Sequence, residues 1–490
     1  MRTAAVEKTP VAVERGQAQL FLDDERIAER RNVTRRWHRL RKHPANPLFS
    51  RSAEEVQVYL SGTVLHEPEP GGGEPLFRMW YYARSEKVRW VAYARSRDGL
   101  SWEKPDLGVL PAGRGLPGNA VFAPPGWRLI DFSGLVKDPR PGAADGERYK
   151  LIVSADTRGA VEVDEPLEGL EGKHFVRGTS PDGWRWTFHG AFKPAMPTYP
   201  DRGCLTWDPF RQEFTQFGRS RHRPPELVER GGPNYAGRAV GRGTSADFES
   251  WSEEWPHVIH ATGEDPDGTE IYGCSAFPAG GQWIALTQMH HSLPHLAFID
   301  MAIAHSRDGV DWTREDHLVL PGGDVGDWDR FNQCTSTAPL RVGDELWVYY
   351  CGRSFRHREY FACPEWRPEV PRGDSGPKYA RIGLATIRLD GWCSLAAGYD
   401  GGAVVTGPVV LPAGGLRVNA RSPWGAVTVE VLDEEGSPIP GVPRSAPVSA
   451  DGVDLKVEWP GGAVLDSLRG RPVRLRFTLE NAHRYSWRIA

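Results

Sequence analysis

Apolar and polar positions along this chain alternate in short runs and rarely keep a period of three to four residues. Phe77-Arg78-Met79-Trp80-Tyr81-Tyr82, Trp283-Ile284-Ala285-Leu286-Thr287 and Leu346-Trp347-Val348-Tyr349-Tyr350 read as buried strands. One turn recurs between such runs. Ser96-Arg97-Asp98-Gly99-Leu100-Ser101-Trp102 returns as Ser180-Pro181-Asp182-Gly183-Trp184-Arg185-Trp186. It returns again as Ser245-Ala246-Asp247-Phe248-Glu249-Ser250-Trp251 and Ser306-Arg307-Asp308-Gly309-Val310-Asp311-Trp312. A degenerate fifth copy is Ile387-Arg388-Leu389-Asp390-Gly391-Trp392. Asp-Gly followed by an aromatic predicts a hairpin turn whose Trp packs back on its own sheet.

The repeated aspartates are 84, 65, 61 and 82 residues apart, room for one small antiparallel sheet per copy. Five such units predict a five-bladed β-propeller, in which each blade buries both faces against its neighbours. The repeat tryptophans are then structural. Beyond residue 397 the pattern changes to strict alternation, as in Gly425-Ala426-Val427-Thr428-Val429-Glu430-Val431-Leu432 and Pro472-Val473-Arg474-Leu475-Arg476-Phe477-Thr478-Leu479. That pattern predicts a β-sandwich. The expected class is therefore all-β: a five-bladed β-propeller followed by a C-terminal β-sandwich. Its expected parts are a lead-in strap over 1–50, the propeller over 51–396 and the sandwich over 397–490. The basic stretch from Arg30 to His43 in the lead-in reads as a solvated strap or an anion site.

Composition narrows the function. The 490 residues are 25% charged and 39% hydrophobic, with 55 Gly and 41 Pro, as expected of a globular protein built from short strands and tight turns. A formal charge of −4 gives no general attraction to nucleic acid or membrane surfaces, and neither partner is expected. No apolar run of about 18 residues occurs. The first ten residues lack the apolar core of a secretory signal, and the six cysteines form no Cys-x-x-Cys pair, so a cytoplasmic protein without cofactor or metal is expected.

Candidate chemistry comes from a second repetition. Asp131 to Pro139, Asp201 to Pro209 and Glu270 to Pro278 each run acid, seven residues, proline, and each proline opens a turn into an apolar strand. The shared spacing predicts three acids at the start of the inner strands of blades 2, 3 and 4, facing one channel. Blade 1 offers Tyr59 beside that slot, and blade 5 offers Asp329 two residues upstream of it. Carboxylates crowded into one cavity cannot all ionise, so one becomes a proton donor, which glycosidic bond cleavage needs. Glu270 is expected as general acid, Asp131 as base or nucleophile and Asp201 as the orienting carboxylate. The alternative is that such acids cap turns, and Asp138 and Asp208 within the turns are read that way. Tyr59, Asp329, His290, His291 and Arg353 are expected to contact substrate. Arg353, the histidine pair and the basic lead-in could also hold phosphate.

Five blades with Asp, Asp and Glu from consecutive blades, then a sandwich, resemble the glycoside hydrolase superfamily of invertases, levanases and arabinan-degrading enzymes (families 32, 43, 62 and 68). Val136-Lys137-Asp138-Pro139 resembles the Arg-Asp-Pro motif of family 32, and Glu270 ahead of Cys274 resembles its Glu-Cys. The resemblance implies a glycosidase that acts on a small glycoside or oligosaccharide. The sequence departs from that family at its Trp-Met-Asn-Asp-Pro-Asn nucleophile motif, where the closest stretch, Asn46-Pro47-Leu48-Phe49, carries no acid. An inverting mechanism, a phosphorylase using inorganic phosphate, and a non-catalytic sugar-binding propeller therefore stay open.

Overall fold

The computed structural model describes residues 9–490 except 53, 54, 56, 86, 87, 112–114, 124–127, 157–172, 193–202, 233, 234, 294, 295, 358–379 and 463. The chain is almost entirely β. Blade 1 orders Gln57–Glu67, Leu76–Arg84, Arg89–Ser96 and Ala120–Phe122 from the inside outward. Blades 2 and 3 repeat this with inner strands Arg128–Lys137 and Cys204–Asp208, and blade 4 starts with Thr269–Ala279. Blade 5 runs Asn332–Cys334, Glu345–Arg353 and Arg381–Arg388, and its outermost strand is Arg41–Lys42 from the lead-in.

Small polar side chains link neighbouring blades near the axis at four of the five junctions. Thr63 Oγ1 donates to Leu135 O at 2.9 Å between blades 1 and 2, and Cys204 Sγ donates to Ala276 O at 3.6 Å between blades 3 and 4. Ser275 Oγ donates to Thr337 O at 2.7 Å between blades 4 and 5. The Val64 N–H donates to Thr337 Oγ1 at 3.0 Å, joining blade 5 to blade 1. Strands converge most closely at the axis, where side chains of this size fit and still satisfy the backbone.

The repeated turn works as a capped corner. In its first copy Ser96 Oγ donates to Asp98 Oδ1 at 2.8 Å, and that oxygen accepts the Leu100 and Ser101 N–H groups at 2.8 and 2.7 Å. The tryptophan is expected from the sequence to pack on its own sheet; in the first, third and fourth copies it also leans on the preceding blade. Trp102 meets Tyr349 of blade 5 with centroids 5.6 Å apart, and in the second copy Trp184, two residues before the repeat Trp186, meets Tyr93 of blade 1 at 5.7 Å. Trp251 stacks on Phe192 of blade 2 at 5.3 Å, and Trp312 meets Phe217 of blade 3 at 5.9 Å. Trp392 meets Phe277 of blade 4 at 5.7 Å. A tryptophan four residues after the aspartate in three copies, and two residues after it in the second and fifth, thus packs across each junction between blades. The fifth copy is degenerate because the chain leaves the propeller there. Asp390 accepts the Ser486 hydroxyl at 2.7 Å instead of capping its own turn.

The remaining strands form two six-stranded sheets around one apolar core of residues such as Val404, Leu416, Val418, Val429, Leu475, Phe477 and Trp487. The alternation read from 425–432 and 472–479 is what turns these side chains inward. The lead-in is not a strap on the outside. Val11–Ala12, Gln19–Leu20, Ile27–Arg31 and Thr34–Trp37 all pair within these two sheets, as does Cys393–Ala397. No described helix is long and apolar enough to cross a membrane.

Candidate functional site

Glu270 is the second residue of the inner strand of blade 4 and is fully buried. Its Oε1 accepts the Ala236 and Arg238 backbone N–H groups at 2.7 and 3.1 Å. Its Oε2 accepts Arg238 Nη1 at 2.5 Å and His290 Nδ1 at 2.9 Å. Burial alone would push this carboxyl up. The His290 hydrogen bond and the Arg238 guanidinium outweigh burial and hold it at about 2. Glu270 is expected from the sequence as general acid; in this arrangement it is a carboxylate that accepts from four donors. Residue spacing shows only the like charges, whereas Ala236, Arg238 and His290 bring donors that it does not reveal.

Around Glu270 lies a cationic and aromatic cluster. The Arg219 guanidinium sits 4.4 Å from the Tyr272 ring centre and donates to Tyr272 O at 3.1 Å. Arg238 lies 5.6 Å from the same ring, and His357 Nε2 is 2.8 Å from the Tyr272 hydroxyl. His290 and His357 rings are 4.8 Å apart. Burial and the neighbouring arginines push both imidazoles down, so both are neutral at physiological pH. With Glu270 ionised, His290 donates through Nδ1 and its Nε2 carries a lone pair. Arg353 adds a third guanidinium, buried 5.0 Å from the ring of Tyr59, and its charge also bears on His357. Residues of blades 1, 3, 4 and 5 therefore meet at one end of the propeller.

The other expected residues divide between this end and elsewhere. Asp131 is buried at the corresponding position of the inner strand of blade 2, its Oδ1 accepting the Phe132 N–H at 2.9 Å. Asp201 lies outside the described residues. Asp329 is buried and bound to Lys42 Nζ and the Tyr350 hydroxyl, each at 2.7 Å, so it ties blade 5 to the lead-in. His291 points to the opposite face of its strand from His290, as alternation requires. There it stacks on Phe298 with centroids 4.2 Å apart and meets Asp300 at 3.2 Å. Asp138, which the family-32 motif would select, lies at the far end of its strand, closed off by Arg140 at 2.7 Å. Asp208 is held by Arg211 and Arg242 in the same way.

Arg219, Arg238, Tyr272 and His357 escaped the sequence reading. Tyr272 carried a signal, since it lies two residues from Glu270 on the same face of its strand. The arginines carried none among the chain's 60 Lys and Arg.

No family model and no curated protein sequence matches the chain. Solved structures do. A β-1,2-mannobiose phosphorylase from Listeria innocua in complex with β-1,2-mannobiose aligns at 13% identity and a TM-score of 0.43, over 71% of this chain and 96% of its own. A glycosyl hydrolase from Bacteroides ovatus aligns at 14% identity and a TM-score of 0.43, over 76% of this chain and 97% of its own. A structure from a mannoside phosphorylase family that contains hydrolases of β-1,2-mannosidic linkages aligns at 14% identity and a TM-score of 0.42, over 72% and 94%. The activity of this chain is argued below from its own residues.

Proposed function

We propose that the chain cleaves a glycosidic bond of a small glycoside or oligosaccharide at this end of the propeller, and that inorganic phosphate is the acceptor. The carrying observation is the charge of the cluster: Arg219, Arg238 and Arg353 gather around Tyr272 and Tyr59, and Glu270 is the carboxylate bonded among them. Guanidiniums in a buried setting attract a multivalent oxyanion with planar, paired hydrogen bonds. The buried Tyr272 and Tyr59 rings lie beneath Arg219 and Arg353 and steady those guanidiniums.

Phosphorolysis asks less of the carboxylates than hydrolysis does. Hydrolysis needs a carboxyl to protonate the leaving oxygen and a second to activate water. Phosphate is already a nucleophile. One of its oxygens attacks the anomeric carbon, the glycosidic C–O bond breaks, and the leaving oxygen takes a proton from Asp131. The products are a sugar phosphate and the shortened acceptor. Glu270 acts as a positioning residue that aims Arg238 and fixes the His290 tautomer. Hydrolysis is the second reading, with Asp201 as base, favoured by its shared spacing with Asp131.

Cleavage of a panel of nitrophenyl glycosides and oligosaccharides, with and without phosphate, tests this. Saturable acceleration by phosphate with release of a sugar phosphate is the expected result. A rate indifferent to phosphate supports hydrolysis, and no cleavage of any substrate overturns both. Asp131→Asn is expected to lower kcat about a thousandfold. Arg353→Met is expected to raise the KM for phosphate about tenfold or more, with less effect on the KM for the glycoside.

A further inference from the structure

Two large aromatic side chains stand almost fully in solvent, on turns that one residue links. Tyr399 and Trp424 are each 84% exposed, while the other tryptophans whose burial is described are at least partly covered. Exposed Trp is unusual, because its ring is the largest apolar body a residue can bury. Tyr399 occupies a corner of the turn closed by the Gly401 N–H on Gly398 O at 3.1 Å. Trp424 occupies a corner of the turn closed by the Gly425 N–H on Ser422 O at 3.2 Å. Asn481 ties these turns side by side. Its N–H donates to Gly398 O at 2.9 Å and its Nδ2 to Trp424 O at 3.1 Å. Neither turn needs an aromatic there, since such corners favour Asn, Asp, Gly or Ser.

The surroundings decide what would cover them. Ser422, Pro423, Gly425, Asp400, Glu480 and Asn481 flank the rings, so no continuous apolar patch surrounds them. A protein interface or an inserted membrane anchor would call for one. Isolated flat rings with polar groups at their edges match a sugar unit, which has an apolar C–H face and hydroxyls around its rim. We infer that Tyr399 and Trp424 form a second carbohydrate site, on the two-sheet body, that holds a polysaccharide chain by stacking. This inference goes beyond the channel reading and does not depend on it.

Native electrophoresis of the intact chain through gels cast with mannan, arabinan, levan or β-glucan is the test. At least one polymer is expected to retard the wild-type protein. Trp424→Ala and Tyr399→Ala are each expected to weaken that retardation about tenfold, and Trp424→Phe to keep most of it. Asp131→Asn is expected to migrate as wild type, and Trp424→Ala to cleave a small soluble glycoside as wild type does. Failure of the channel chemistry would leave this gel result standing. Absence of retardation by all four polymers overturns the inference, as does retardation lost in Asp131→Asn. Retardation that survives the Tyr399→Ala/Trp424→Ala double variant overturns it too. So does sedimentation showing self-association that only the double variant abolishes, which would make the pair a contact between copies.

Discussion

Glu270 illustrates how a buried charge is judged by its partners. Four donors converge on its two oxygens. An amide in its place would turn an NH2 toward some of those donors and leave Arg238, itself largely covered, without its counter-charge. Glu270→Gln is therefore expected to destabilise the protein by about 3 kcal/mol, seen as a lower thermal midpoint, besides any loss of rate. A variant as stable as wild type would show that the clamp contributes little. The pH dependence follows from the same bonds. The folded pKa lies below the unfolded one, so the stabilisation is complete above about 4.5 and is lost as pH falls through about 2. Wild-type stability should fall across that window, and the Gln variant should fall less steeply there.

At the scale of the element, the repeated turn does two jobs in seven residues. Its aspartate closes the corner and a tryptophan of the turn packs against the preceding blade. The Ser101 N–H foremost holds the Asp98 carboxyl at about 2, and backbone N–H groups overcome burial to depress Asp182, Asp247 and Asp308 as well. The glycine after the aspartate has its own reason. Gly183 has φ of +81°, and a Cβ there would lie 2.6 Å from the Trp80 ring. Gly183→Ala should cost about 2 kcal/mol or more, measured by urea unfolding. An unchanged midpoint would mean that the Trp80 ring moves aside freely. The third copy carries Phe248 at φ of 74°, where its ring meets Phe214 with centroids 5.2 Å apart, so packing can offset this strain.

At the scale of the whole molecule, the two ends of the chain are interwoven. The lead-in supplies the outer strand of blade 5 and strands to both sheets of the second body. Lys42 makes the link electrostatic as well, through buried Asp329. Lys42→Ala should lower stability by about 2 kcal/mol by leaving that carboxylate to Tyr350 alone, and Asp329→Asn in the same chain should restore part of it. Equal losses with and without Asp329 would show that the pair is not coupled. Trp102 on Tyr349 packs blade 1 against blade 5, where the ring closes.

What the sequence by itself determined is whatever depends on short separations. Strand periodicity, the five turns and the alternation after residue 397 are local, because pleating and turn geometry act over a few residues. The place of Asp131 and Glu270 on inner strands follows from the same spacing, as does the separation of His290 from His291 onto opposite faces. Tertiary structure decided the rest. Whether Glu270 donates or only holds, which three arginines gather near Tyr272 and Tyr59, and where residues 9–42 go all depend on partners distant in sequence. A carboxylate's pKa is set by the charges and donors within a few ångströms of it, and the folded path of the chain alone chooses those neighbours.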